Sequence, residues 1–136
     1  MKKWIIGLLL FAVGLPSYAQ EHRGFWIKNI DDGYSGQGYC TLVFSLDAAA
    51  DPFDNPLEID FHYIKGNKVI AKSTMDVPPF GQAHSNQKIQ TYTEWPCEEF
   101  TELKIVNIWE IKNGRKVRLP LYVAIPTDYQ PAKITK

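Results

Sequence analysis

From Tyr39 to Leu46 the chain alternates with period two. Cys40, Leu42, Phe44 and Leu46 fall on one side of an extended backbone, and Tyr39, Thr41, Val43 and Ser45 fall on the other. This alternation predicts a strand with one face in a core. Leu57, Ile59, Phe61 and Tyr63 alternate in the same way with Glu58, Asp60, His62 and Ile64, giving a half-buried strand with acids facing water. Lys65-Gly66-Asn67-Lys68 turns the chain into Val69–Val77, where Val69, Ala71, Met75 and Val77 share a side. Upstream, Phe25–Ile30 predicts a short opening strand. Asp31–Gly38 predicts a loop, because it is dense in residues such as Asp and Gly that accept left-handed dihedrals. Ala48–Pro56 is a second loop.

Val77-Pro78-Pro79-Phe80-Gly81 ends the strand before it, since proline cannot donate to a ladder. Gln87–Glu94 is weakly patterned and predicts an edge strand; Trp95-Pro96-Cys97 with Glu98-Glu99 makes a corner. Leu103–Ile111 predicts a second central strand. Asn113-Gly114 between two apolar runs is a strong hairpin signal. The return strand it leads into puts Val117, Leu119, Leu121, Val123 and Ile125 on one face, with Pro120 at an edge or bulge. No segment has a helical period. About seven short strands separated by turns predict an all-β fold, an antiparallel two-sheet sandwich of fibronectin III or immunoglobulin-like type. A small up-and-down barrel is the rival.

The first residues change the picture of where this domain works. Lys2 and Lys3 precede an apolar run from Trp4 to Leu15, then Pro16 and the small residues Ser17 and Ala19. That is the layout of a secretory signal peptide, and the run is too short to span a bilayer. The expected organisation is a signal over 1–19, a β-sandwich domain over 20–126 and a flexible tail over 127–136, in a secreted or periplasmic protein. Removing the signal takes away two basic residues and no acid, which leaves a slightly acidic chain. That balance argues against nucleic acid and against a polybasic membrane patch as partners. Two cysteines in an exported chain predict one disulfide, Cys40–Cys97, closing a loop of nearly sixty residues.

Candidate chemistry is sparse. No Gly-x-Ser-x-Gly elbow exists, and His22, His62 and His84 are far apart in sequence. No enzyme activity and no cofactor are expected. A cut after Ala19 would set His22 third from a free amine, a geometry suited to Cu(II) or Ni(II), unless Gln20 cyclises. Asp31-Asp32-Gly33 with Asp47, Asp51 and Asp54 lacks the spacing of a calcium loop. Glu98 and Glu99 point apart on an extended chain and read as solvated corner residues.

Surface is what remains. Trp26, Tyr34, Phe53, Phe80, Trp95 and Phe100 fall in or beside loops. Simple alternation also sends Ile64, Val106 and Ile108 outward. Trp26, Tyr34, Phe53, Phe80, Trp95, Val106 and Ile108 are therefore the candidate partner-binding or dimer surface. The competing reading has the aromatics capping the open ends of the sandwich. Leu103–Ile111, apolar on both sides, suggests a second buried face in a dimer or a swapped segment.

Taken with the signal, three features resemble the interleukin-receptor mimic family of small proteins secreted by enteric bacteria. They are Phe25-Trp26-Ile27-Lys28-Asn29-Ile30-Asp31-Asp32-Gly33-Tyr34-Ser35-Gly36 leading to Cys40, the Val77-Pro78-Pro79-Phe80-Gly81 turn, and Cys97. The resemblance implies a fibronectin III-like fold, a homodimer with exchanged strands, and binding of host secreted proteins such as cytokines. The alternative is a surface-fibre or adhesin accessory protein that works by strand pairing.

Overall fold

A computed structural model describes residues 21–34, 39–127 and 133–136; the expected signal over 1–19 lies outside the described residues. The strands are β1 (Phe25–Tyr34), β2 (Cys40–Ala48), β3 (Leu57–Lys65), β4 (Lys68–Val77), β5 (Asn86–Thr93), β6 (Glu102–Lys112), β7 (Arg115–Arg118), β8 (Ala124–Pro126) and β9 (Lys133–Thr135). One sheet has the order β5-β2-β1-β8, the other β4-β3-β6-β7, with β9 added to β6. The sheets are antiparallel except where β8 runs parallel to β1 and β9 parallel to β6. β4 pairs with β3 rather than with β5, the fibronectin III-like variant of the sandwich. Because β4 and β5 do not pair, the barrel alternative is excluded.

Alternation builds the core where the strands are regular. Leu42, Phe44 and Leu46 of β2 face Leu57, Ile59, Phe61 and Tyr63 of β3, all essentially without solvent exposure. Phe44 and Phe61 stack between the layers with ring centroids 5.4 Å apart. Two loop aromatics close one end: Phe53 and Phe80 lie on Phe25 at 6.3 and 5.9 Å, and the Phe80 amide donates to the Phe53 carbonyl. At the other end Phe100 stacks on Tyr63 at 4.9 Å, and Cys40 is bonded to Cys97 with their Cα atoms 4.9 Å apart. The Asn113-Gly114 hairpin forms as expected, with both residues at positive φ (51° and 78°), as a type I′ turn requires.

Three departures from expectation, on β1, β4 and β6, share one physical cause. A β-bulge inserts a single residue on one strand, and every side chain beyond it changes face. On β6 the partner of Phe61 is Ile105 and that of Asp60 is Asn107, so Val106 is the extra residue. Ile108 and Glu110 therefore turn into the core and Trp109 turns out, the reverse of simple alternation. On β4 the extra residue is Ile70, which leaves Val69 exposed rather than on the inner face. On β1 the extra residue is Ile30, and the strand continues through Asp31, Asp32 and Gly33, where a loop is expected.

The return segment is not one strand. It leaves β6 after Arg118, turns at Pro120 through Leu121–Val123, and joins the other sheet as β8. Leu119 and Val123 are buried, whereas Val117 and Ile125 face solvent. Nor is Lys133–Thr135 a loose tail: it pairs with Glu102–Lys104, and Ile134 is buried.

Candidate functional site

The sequence-predicted surface residues divide. Phe53, Phe80 and Ile108 are buried and belong to the core, as does Phe100. The two loop phenylalanines fold inward to cover the open end above Phe25, and the β6 bulge turns Ile108 inward. With Ile108 inside, the doubly apolar look of β6 no longer demands a second buried face. Val106, at the bulge, is half-buried. Trp26 and Trp95 do face solvent, 39% and 41% exposed. Tyr34 pairs with Cys40 through the β1–β2 ladder, and its side chain lies outside the described residues.

Three surfaces carry these and other exposed groups. At the start of β1, Trp26 is the register partner of Ile125 on β8, so the two side chains share the outer face of the first sheet. Tyr122, half-exposed on the turn just before, donates its hydroxyl proton to the Glu21 carbonyl at 3.2 Å. The second surface is the cleft between the unpaired edges of β4 and β5, about 310 Å³, lined by Ala71, Lys72, Ser73 and Tyr92–Trp95. Tyr92 is the most exposed large apolar side chain among the described residues.

The third is the outer face of the second sheet, centred on Asp60. Thr74 Oγ1 donates to Asp60 Oδ1 at 2.7 Å, while Trp109 Nε1 and Asn107 Nδ2 donate to Oδ2 at 2.9 and 3.1 Å. Partial burial pushes the Asp60 carboxyl up, but the three donors and nearby Lys116 outweigh it and hold it below the ordinary carboxylate value. The Arg118 guanidinium sits over the Trp109 ring at 4.7 Å and the Lys116 ammonium at 5.8 Å, with Lys116 also paired to Glu58 at 3.0 Å. The ring is thus held in place by a hydrogen bond at its edge and cations on its face.

Trp109, Arg118, Tyr92 and Tyr122 were not singled out from the sequence. For Trp109 the missing signal is the bulge; Tyr92 was available as an outward position on an edge strand. His22 is exposed at the start of the described chain. Among the described residues no three His, Cys, Asp or Glu side chains gather in a way that could hold a metal ion. Also among these residues, no helix is long and apolar enough to cross a membrane. What the surfaces offer is exposed aromatic rings, and in Trp109 one ring held between a hydrogen bond and two cations.

Comparison with known proteins gives the fold a lineage. No curated protein matches the chain. A solved structure described as the structural characterization of IrmA from Escherichia coli is similar, with a TM-score of 0.70 and 28% identity over 85% of this chain and 100% of that one. The family model for IrmA, interleukin receptor mimic protein A, matches residues 25–125, from the start of β1 into β8, and the chain belongs to that family.

Proposed function

We propose that the chain is an exported, non-enzymatic binding module that engages host secreted proteins of the interleukin class. Membership of the interleukin receptor mimic family over residues 25–125 carries the reading. Solvent-facing Trp26, Tyr92, Trp95 and Tyr122 support it, since the few residues that dominate binding energy at protein interfaces are enriched in Trp and Tyr. The Cys40–Cys97 disulfide fits an oxidising compartment, extracellular or periplasmic.

The test is surface-immobilised protein challenged with a panel of purified interleukins. Saturable binding to at least one is expected, and it weakens on Trp26→Ala or Trp95→Ala. No binding across the panel at micromolar concentration would end the reading. Self-association as a homodimer with exchanged strands belongs to the same proposal. Light scattering at micromolar concentration tests it, with a monomer mass as the contrary result. The strand-pairing alternative is less well supported, because the free edges carry lysines, Lys68 and Lys72 on β4 and Lys88 on β5, that discourage an added strand.

A further inference from the structure

On the outer face of the second sheet, register places Lys72 of β4 and Lys104 of β6 directly opposite His62 of β3. Both lysines are exposed and the imidazole is half-buried between them. Among the described residues, none of the three makes an ion pair or a side-chain hydrogen bond. The two ammonium groups thus flank β3 on one face with no acid among the described residues paired to either. Beside this row, at the β6 bulge, lies a concavity of about 410 Å³, whose walls include Asp60, His62, Lys72, Thr74, Val106 and Asn107. The one acid in it, Asp60, already has both oxygens occupied by Thr74, Asn107 and Trp109.

Acids bracket the row. Asp60, Glu58 and Asp76 lie toward one end of the sheet face, where Glu58 is already paired to Lys116, and Glu102 lies toward the other. A continuous polyanion, a sulfated glycan or a nucleic acid strand, would lay negative groups against Asp76 and Glu102 at the two ends. One carboxylate among neutral neighbours meets only the basic row.

We propose that this face docks a partner protein that sets one acidic side chain, Asp or Glu, into the concavity beside Lys72, His62 and Lys104. The inference rests on the protein-binding reading and specifies the chemistry of its contact. The lysines act as mobile point donors, the Asn107 and Thr74 side chains line the wall, and the pinned Trp109 ring offers a rigid neighbour on the same face.

The test is a nitrogen-15 NMR titration of the purified protein. The probes are two synthetic peptides differing only in a central Glu or Gln, and a heparin tetrasaccharide. The Glu peptide is expected to shift the amides of His62, Lys72, Lys104 and Asn107, with the Gln peptide at least about tenfold weaker. Lys72→Glu combined with Lys104→Glu removes the response while amide dispersion stays as in the parent and thermal unfolding comes no earlier. Equal response to both peptides, no response at millimolar peptide, shifts on another face, or tighter binding of heparin would each overturn the proposal. The double variant also separates the two readings. Interleukin binding that it leaves intact sinks this inference alone. Docking of the Glu peptide without any interleukin binding sinks the cytokine reading alone.

Discussion

The two ends of the sandwich are shut by different physics. Where β1 ends and β2 begins, Cys40 and Cys97 are joined covalently. At the opposite end, where β1 begins and β6 ends, a cluster of charges lies over the Phe25, Phe53 and Phe80 aromatics. Arg23 donates to both oxygens of Glu110 at 2.7 and 2.9 Å and to both oxygens of Glu21 at 2.8 and 2.7 Å. Asn55 adds a bond to Glu110 at 3.0 Å, and the Arg23 guanidinium lies 4.4 Å over the Phe53 ring. The Glu110 side chain has no solvent exposure, while that of Arg23 retains 28%. The covalent link acts mainly by restricting the unfolded chain, so it is indifferent to pH. The charge clamp exists only in the folded state and must offset the desolvation of a carboxylate, so it depends on pH and on both partners being present. A closure of the first kind stabilises from outside the fold, one of the second kind from within it.

The largest expected effect is at the covalent end. Replacing both Cys40 and Cys97 by Ala should lower the unfolding free energy by roughly 4 kcal/mol, the chain-entropy figure for a loop of this length. Urea denaturation measures it, and a loss under about 1 kcal/mol would mean the Phe100–Tyr63 stack holds that end unaided. Next comes the clamp. Arg23→Met leaves the buried Glu110 carboxylate with only Asn55 and the more distant Lys112, and should cost about 3 kcal/mol, near the low end for a broken buried pair. Arg23→Met with Glu110→Leu should recover most of that. A double variant as unstable as the single one would show that the pair itself, not an orphaned charge, does the stabilising.

The third prediction sharpens the contrast through pH. Burial pushes Glu110 up, but bonds from Arg23 and Asn55 and the charges of Arg23 and Lys112 leave it below its ordinary value of 4.5. For Glu21 the Arg23 hydrogen bond dominates and lowers it too, while Arg23 is raised far above any working pH. Carboxyls held lower in the folded state than in the unfolded contribute stability that is complete above 4.5 and is lost as pH falls through the folded values. Acid titration of stability should therefore be steeper in the parent than in the Arg23→Met/Glu110→Leu variant. The Cys40→Ala/Cys97→Ala variant should keep the parent's slope. The smallest effect is at Lys65→Ala, beside the disulfide. Its pair with Glu99, 2.8 Å long but well exposed on both sides, is worth at most a few tenths of a kcal/mol.

Period-two patterning made the regular strands legible. The inner faces of β2 and β3 are where Leu42, Phe44, Ile59 and Phe61 put them, and Asn113-Gly114 marked its hairpin. The cysteine pair was legible too, since an exported chain with two cysteines leaves one simple outcome. Ile30, Ile70 and Val106 were not legible as extra residues. A bulge is chosen by how two strands pair, and the pairing is settled by the partner, not by the strand's own composition. For the candidate surfaces this was decisive: Ile108 moved inside, Trp109 moved out, and Phe53 and Phe80 left the surface to fill the end above Phe25. The likeness to the receptor mimic family could be stated from the opening strand, the proline turn and the cysteines. The basic row at His62 could not, because it is assembled from three strands.

By itself the sequence determined an all-β chain, its regular strands, its hairpin and its sulfur link, because each is written in neighbouring residues or in a count of two. Tertiary structure alone decided which face of β6 is wet, that the segment after Pro120 crosses to the other sheet, and that Arg23 closes over Glu110. Those outcomes depend on contacts between residues distant in sequence, where a one-residue slip in pairing exchanges inside for outside.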